Sequence, residues 1–319
     1  MNDPILRVKA MGHVRRRIDQ VRRRIEQTAD QAAALAHRRL IGTTPVAAFD
    51  GEPRFALVTV NYSTTRWLKL MLLTLSEQDG LDMVSDIVVV DNASRDGAGS
   101  LRSALAGRSP RWHWVENRRF LSHARGMRMG LRALDAMGSR ANVVLAVDTD
   151  VVFLRPETLQ TLDAIFRDGA VLAGEMRDWI YAVPEAQASF VAFRRDVYAR
   201  RDIAPWVNHG APSYWMQKSI RKHGLPVVDF PSYRDGYALH RGRSGVMAAG
   251  RYRRGSSYAS VTNSDPHFMG VPGGEAAWQA TEQRWRHLLE PGTEEALAEV
   301  LVRRLGGEGA AAVVGEVAP

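Results

Sequence analysis

The stretch Asn142-Val-Val-Leu-Ala-Val147, followed directly by Asp148-Thr149-Asp150, decides how the rest of the chain is read. A short continuous apolar run bounded by polar residues reads as a buried strand. Side chains alternate along an extended backbone, so Asp148 and Asp150 leave it on the same side. Two hard-oxygen ligands close together at a strand's carboxyl end suit Mg²⁺ or Mn²⁺ still carrying water or phosphate oxygens. An Asp-x-Asp pair alone is a weak signal, because solvated acidic pairs are common. The segments upstream strengthen it.

Two earlier strands end in the same manner. Phe55-Ala-Leu-Val-Thr-Val60 runs into Asn61-Tyr62-Ser63, and Ile87-Val-Val-Val90 runs into Asp91-Asn92-Ala93-Ser94. All three runs are continuously apolar, the pattern of parallel strands covered on both faces. Helical spacing lies between them: Trp67, Leu68, Met71, Leu72 and Leu75 after the first, Met127, Gly130, Leu131 and Leu134 before the third. This alternation predicts an α/β chain built on a doubly wound, mostly parallel sheet. Ligands bind such sheets beyond the carboxyl ends of the strands. Asn61, Asp91, Asp148 and Asp150 are therefore expected to line one crevice.

Four motifs in order, Val58-Thr-Val-Asn-Tyr-Ser63, Val88-Val-Val-Asp-Asn-Ala-Ser94, Asn117-Arg-Arg-Phe120 and Val147-Asp-Thr-Asp150, resemble the family 2 glycosyltransferases of the GT-A fold. The resemblance covers roughly residues 54–245 and implies a nucleoside-diphosphate sugar donor. It implies that Asp91 contacts the base or ribose and that Asn61 and Ser63 sit beside the nucleotide. Asn92, Ser94 and Asn117 fall on the same side. By the same resemblance Asp148 and Asp150 hold the divalent metal on the diphosphate, and His240, in Tyr237-Ala-Leu-His240-Arg-Gly-Arg243, is the third protein ligand. Arg241 and Arg243 are candidates for the diphosphate, since guanidinium forks match phosphate oxygens; the plainer reading is a surface loop with solvated arginines. The chemistry fits independently: a metal bridging two phosphates stabilises the charge that develops on the leaving oxygen.

One departure stands out. Aligning Arg221–Pro231 with the family's helix–Gly–strand segment puts the acceptor-site Glu-Asp pair, the usual source of a general base, near Pro212-Ser213, where this chain has no carboxylate. Three options stay open. His209 acts instead, an imidazole being suited to the task; a carboxylate such as Glu175 or Asp178 reaches in; or configuration is retained and no protein base is needed. Among Trp179, Tyr181, Trp206, Tyr214 and Trp215, one or two are expected to stack on the acceptor, Trp179 and Trp206 first.

The remaining features bound the class. The chain has 319 residues, is 45% hydrophobic and contains no cysteine, so disulfides, zinc–thiolate sites and thiol nucleophiles are excluded. No apolar window long enough to span a membrane occurs, and the start, with Asp3 and Arg7, lacks a signal-like stretch. A cytoplasmic enzyme is expected. Residues 1–44 carry ten Lys and Arg against four Asp and Glu, so most of the formal +8 sits there and nucleic acid is not expected as a partner. Met11, Val14, Ile18, Val21, Ile25, Thr28, Ala32 and Leu35 follow alternating steps of three and four, predicting a helix over about 5–40 with a narrow seam. Its expected roles are homodimerisation or docking on the catalytic domain, with peripheral contact to the inner face of an anionic membrane as the rival. Residues 246–305 are read as a lid segment, about Met247–Asp265, followed by helices over about 274–289 and 293–305, and 306–319 as a disordered tail. The resulting expectation is a metal-dependent glycosyltransferase acting on a hydroxyl or amine acceptor. Its alternatives are a nucleotidyltransferase, which the glycine-free turn Asn61-Tyr-Ser-Thr-Thr65 disfavours, and an inactive transferase-fold scaffold, whose only support is the missing acidic pair.

Overall fold

The three apolar runs become strands β1 (Phe55–Asn61), β2 (Val84–Asn92) and β4 (Val143–Val147), with β3 (Trp112–Asn117) outside β2. In the computed structural model the described residues are 51–177, 185–207, 212–244, 266 and 268–305, together with positions 21, 25, 28–30, 32 and 36 of an N-terminal helix. β5 (Val151–Phe153), β6 (Leu172–Arg177), β7 (Glu185–Arg194), β8 (Val227–Asp229) and β9 (Ala238–His240) follow. Seven strands form one sheet in the order β3-β2-β1-β4-β7-β6-β8. β7 is antiparallel to β4 and β6, and every other pairing in this sheet is parallel. This is the doubly wound, mostly parallel sheet that the apolar runs predict.

β1 and β4 are buried from end to end, and β2 nearly so. Alternation divides their side chains between two cores: Phe55, Leu57, Val89 and Leu145 on one face, Ala56, Val58, Val88 and Val144 on the other. The first core is covered by α1 (Thr65–Leu75), α2 (Ala98–Leu105), α4 (Thr158–Arg167) and the C-terminal helices α7 (Gly274–Leu289) and α8 (Glu294–Leu305). The second is covered by α3 (His123–Ala136), α5 (Arg195–Tyr198) and α6 (Tyr214–Lys222). Gly130 explains how closely α3 lies on the sheet: a Cβ there would stand 2.5 Å from Val58 Cγ1. A glycine that weakens a free helix is in this place what lets the helix reach the strands.

Both C-terminal helices expected from the sequence are present, and they clasp α1. Lys69 Nζ lies 2.7 Å from Glu294 Oε1 and donates to the Glu290 carbonyl at 2.9 Å, while Trp67 and Trp278 meet edge to face at 5.6 Å. The described positions of the N-terminal helix touch the domain through Asp30, whose Oδ1 accepts from both terminal nitrogens of Arg128 at 3.1 Å. Val21 and Ile25 of the expected seam are 57% and 63% exposed. The expected lid (247–265), Asp178, Trp179, Tyr181, His209 and the tail (306–319) lie outside the described residues.

Candidate active site

Parallel packing carries the ends of β1 and β2 to one edge, with Asn61 opposite Asp91 in register. Neither side chain is loose. Asn61 Nδ2 lies 3.1 Å from each of Asp91 Oδ1, Ser94 Oγ and Thr65 Oγ1, and Asn61 Oδ1 accepts from the Thr64 hydroxyl at 2.9 Å. The Ser63 amide donates to Ser94 Oγ at 2.8 Å and the Ser94 amide to Asp91 Oδ2 at 3.3 Å. The two turns after these strands pass through Ser63 at φ 51° and Ala93 at φ 61°, left-handed conformations in residues that carry a Cβ. The hydrogen bonds to Ser94 and Asp91 hold them there. An ionised carboxylate offers about four acceptor positions, so Asp91 keeps capacity for a ligand hydroxyl after its two internal bonds.

Asn92 and Asn117, expected on the nucleotide side, are turned inward. Asn92 grips Leu121 at both backbone groups, donating to the carbonyl at 2.7 Å and accepting from the amide at 2.8 Å. Asn117 Nδ2 donates to Asn92 Oδ1 at 3.4 Å. Both fix the loop before α3.

At the end of β4 the backbone turns through Asp148-Thr149-Asp150 into β5, and β5 pairs antiparallel with β9, which sets Val151 opposite His240. A residue ninety positions away is thereby delivered to the acidic pair. His240 Nε2 stands 3.1 Å from Asp150 Oδ1 and 3.8 Å from Asp148 Oδ2. One ligand atom from each of Asp148, Asp150 and His240 lies within 4.8 Å of the others, spacing that accommodates a metal ion. Two carboxylates and an imidazole form an oxygen-rich set for a divalent ion of the Mn²⁺ type. Thr64 and Thr149 share a hydroxyl hydrogen bond of 2.7 Å, which ties this cluster to the β1 turn.

The charges within the cluster support one another. Burial raises the Asp150 carboxyl, but the His240 charge and hydrogen bonds from His240 and Ser244 outweigh it, and the net shift is strongly downward. Burial lowers His240, yet Asp150 and Asp148 raise it overall. A further imidazole, absent from the sequence-based expectations, completes the group: His123 Nε2 lies 3.2 Å from Asp148 Oδ1. Burial opposes its protonation and the hydrogen bond and charge of Asp148 prevail, so its pKa is also raised. One signal for it was available. His123 opens a helix that follows a strand of a doubly wound sheet, and such helix starts lie at the ligand-bearing edge.

Other expected residues are placed differently. The Arg241 guanidinium is turned onto Trp67, 4.8 Å from its ring centroid, and donates to Ser244 Oγ at 3.1 Å; burial lowers its pKa. Arg243 adopts φ 63° in the turn after β9. Glu175 is fully buried, with Oε2 accepting from the amides of Tyr233 and Arg234 (2.5 and 2.9 Å) and Oε1 2.8 Å from Arg177. It braces the 233–234 turn and is closed to an acceptor in this conformation. Trp206 corrects the sequence reading: it is fully buried in the second core, against Phe193 at 6.4 Å and His123 at 6.1 Å, so its face is not offered to a sugar. Tyr214 and Trp215 pack on each other at 5.1 Å, with Lys218 over both rings.

No protein-family model and no curated protein sequence matches the chain. Among solved structures, it is similar to a mannosyltransferase from Pyrobaculum calidifontis in complex with GDP-Man and Mn²⁺, at 15% identity over 88% of this chain and 96% of that one, with a TM-score of 0.45. It is also similar to residues 1–349 of TarS from S. aureus in complex with UDP-GlcNAc, at 15% identity, 79% and 71% coverage and a TM-score of 0.46. Glucosyl-3-phosphoglycerate synthase from Mycobacterium tuberculosis, in complex with Mn²⁺, UDP and glucosyl-3-phosphoglycerate, shows 13% identity, 81% coverage of each chain and a TM-score of 0.44. At such identities and scores, function has to be read from this chain's own residues.

Proposed function

We propose that this protein is a metal-dependent glycosyltransferase that moves a sugar from a nucleoside diphosphate to a hydroxyl or amine acceptor. The observation that carries the reading is the convergence of Asp148, Asp150 and His240 to within 4.8 Å, beside the Asn61–Asp91–Ser94 lattice. Asp148, Asp150 and His240 would hold a Mn²⁺ or Mg²⁺ ion, which when bound neutralises the charge developing on a departing diphosphate. Asp91, Asn61 and Ser63 bind and orient the nucleotide, Asp91 through a ribose or base hydrogen bond. His123 fixes the orientation of Asp148. Arg243, three residues after His240, supplies positive charge for the diphosphate, whereas Arg241 is held on Trp67 and Ser244 and would have to turn to share that role.

A nucleotidyltransferase would use the same strand-end acids. Against it stands the turn Asn61–Thr65, which is locked by side-chain hydrogen bonds and holds no glycine to cradle a triphosphate. Against an inactive scaffold stands the intact acidic pair with its two imidazoles.

For the N-terminal element the Asp30–Arg128 contact favours docking on the catalytic domain. The exposed Val21 and Ile25 leave dimerisation and peripheral membrane contact as its competitors. Among the described residues no helix is long and apolar enough to cross a membrane.

A thermal-shift panel of UDP, GDP and dTDP, with and without Mn²⁺, tests the central reading. A nucleotide at a hundred times its Kd stabilises the fold by about 2.7 kcal/mol, and the rise should need the metal. A panel with no Mn²⁺-dependent rise would sink the donor assignment.

A further inference from the structure

Strand β7 begins beyond the end of β4. Val147 pairs with Phe190 and the Asp148 amide donates to the Ser189 carbonyl at 2.9 Å, so Glu185 to Ala188 run past the edge where the metal cluster lies. On β6 the partner of Glu185 is Arg177, and directly opposed residues of an antiparallel pair present their side chains to the same face. Contacts identify that face. Arg177 reaches Glu175 at 2.8 Å, and Glu175 accepts from the Tyr233 amide. The Tyr233 hydroxyl is 2.8 Å from Ser189 Oγ, and its ring stacks on His240 at 6.2 Å. Glu185 thus stands on the face that carries His240, four residues from Ser189, or at most about 13 Å of extended strand.

The Glu185 side chain is not explained by the fold. The residue is 6% exposed, and its Oε2 is buried with no hydrogen-bond partner among the described residues. Its cross-strand neighbour Arg177 spends its charge on Glu175. The adjacent polar group on α6, Gln217, is committed to both backbone groups of Ala186, at 2.8 and 2.9 Å. Burial alone pushes the Glu185 carboxyl up to about 8. A buried carboxyl oxygen left open costs stability unless a ligand completes it.

We propose that Glu185 is the general base that receives the acceptor's proton; this rests on the glycosyl-transfer reading above. As the acceptor oxygen bonds to the anomeric carbon, its proton passes to Glu185 Oε2. The bond from that carbon to the diphosphate oxygen breaks, and its electron pair leaves on the diphosphate. A base that titrates near the working pH balances availability against strength. Glu185 replaces His209, Glu175 and Asp178 in this role.

The test uses the full chain with Mn²⁺ and a panel of UDP-, GDP- and dTDP-hexoses, with water or azide as acceptor. Azide has no proton to surrender and so needs no base. Glu185→Gln should lower donor hydrolysis by about 100-fold or more, keep glycosyl-azide formation at the wild-type rate, and keep the Mn²⁺-dependent Tm rise with the nucleoside diphosphate. Unchanged hydrolysis overturns the proposal, as does equal loss of the water and azide reactions with nucleotide binding intact. If Glu185→Gln loses the Tm rise, Glu185→Asp decides: slowed hydrolysis with full azide transfer supports the base, and parallel loss of both overturns it. A wild-type protein that binds no nucleotide and turns over no donor sinks the transferase reading itself, whereas a wild-type rate retained by Glu185→Gln sinks only the base.

Discussion

At the β1–β2 end of the crevice, Asn61, Ser63, Asp91 and Ser94 interlock through hydrogen bonds in which the Asp91 carboxylate accepts from the Asn61 side-chain amide and the Ser94 backbone amide. At the β4 end, Asp148 and Asp150 gather around imidazoles, with His240 and His123 as their nearest basic partners. The first end is complete as a neutral-donor lattice and presents a finished shape. The second crowds two carboxylates together, an arrangement that calls for a compensating cation. Shape and charge are thus separated along one sheet edge, joined by the Thr64–Thr149 hydroxyl contact. On the proposed function, a nucleoside would be recognised at the preformed lattice and a diphosphate where positive charge is recruited.

The strongest way to break this contrast is to remove the charge and keep the shape. Asp148→Asn with Asp150→Asn should lower Mn²⁺-dependent turnover by about a thousandfold or more, since amides replace anionic metal ligands poorly. The nucleotide lattice should survive, visible as unchanged far-UV circular dichroism. Metal-dependent turnover near the wild-type rate in the double variant would refute the assignment.

The converse change attacks shape. Asp91→Ala should raise KM for the donor by about 100-fold, or 2.7 kcal/mol, with kcat little altered, because a contact to base or ribose is equal in ground and transition states. Steady-state kinetics showing a fall in kcat at constant KM would move Asp91 to the reacting centre.

Glu185 adds a third term, a buried carboxyl outside both ends. Its folded pKa of about 8 lies above the ordinary 4.5. Its stabilising contribution is therefore full below about pH 4.5 and is lost as pH rises toward 8, because the unfolded chain releases the proton first. Glu185→Gln has no such proton, so its stability relative to wild type should grow between pH 5 and 8, by up to about 3.5 kcal/mol. Parallel Tm–pH curves for the two proteins would contradict this.

The smallest effect sharpens the charged end. His123→Gln removes an imidazole that orients Asp148 and should weaken Mn²⁺ binding about tenfold, read by titration calorimetry. A loss as large as that of the Asp148 variant would make His123 a direct ligand.

The legibility of the site follows the same division. Asn61, Asp91, Asp148 and Asp150 were readable because each ends an apolar run, and parallel strands place their carboxyl ends together whatever the loops do. Trp206 was misread because an aromatic residue near a site looks the same in sequence whether it faces ligand or core. Its burial against Phe193 depends on the loop after α5 folding back onto β7. Asn92 shares a motif with Asp91 and Asn117 opens the next one, yet their bonds to Leu121 and to each other turn them from the crevice.

By itself the sequence determined the sheet, the crevice edge and the acidic pair, because period-two alternation and continuous apolar runs are local properties that survive any arrangement of the rest. Only the tertiary structure decided which distant groups complete the site. His240, already named by the family resemblance, is carried to the acidic pair by antiparallel pairing of β5 with β9. His123 arrives through the seating of α3, which Gly126 and Gly130 allow. Among the described residues Glu185 Oε2 has no partner, Arg177 being held by Glu175 and Gln217 by Ala186. Such facts depend on competition among neighbours for donors and charge, and that competition exists only once the chain has folded.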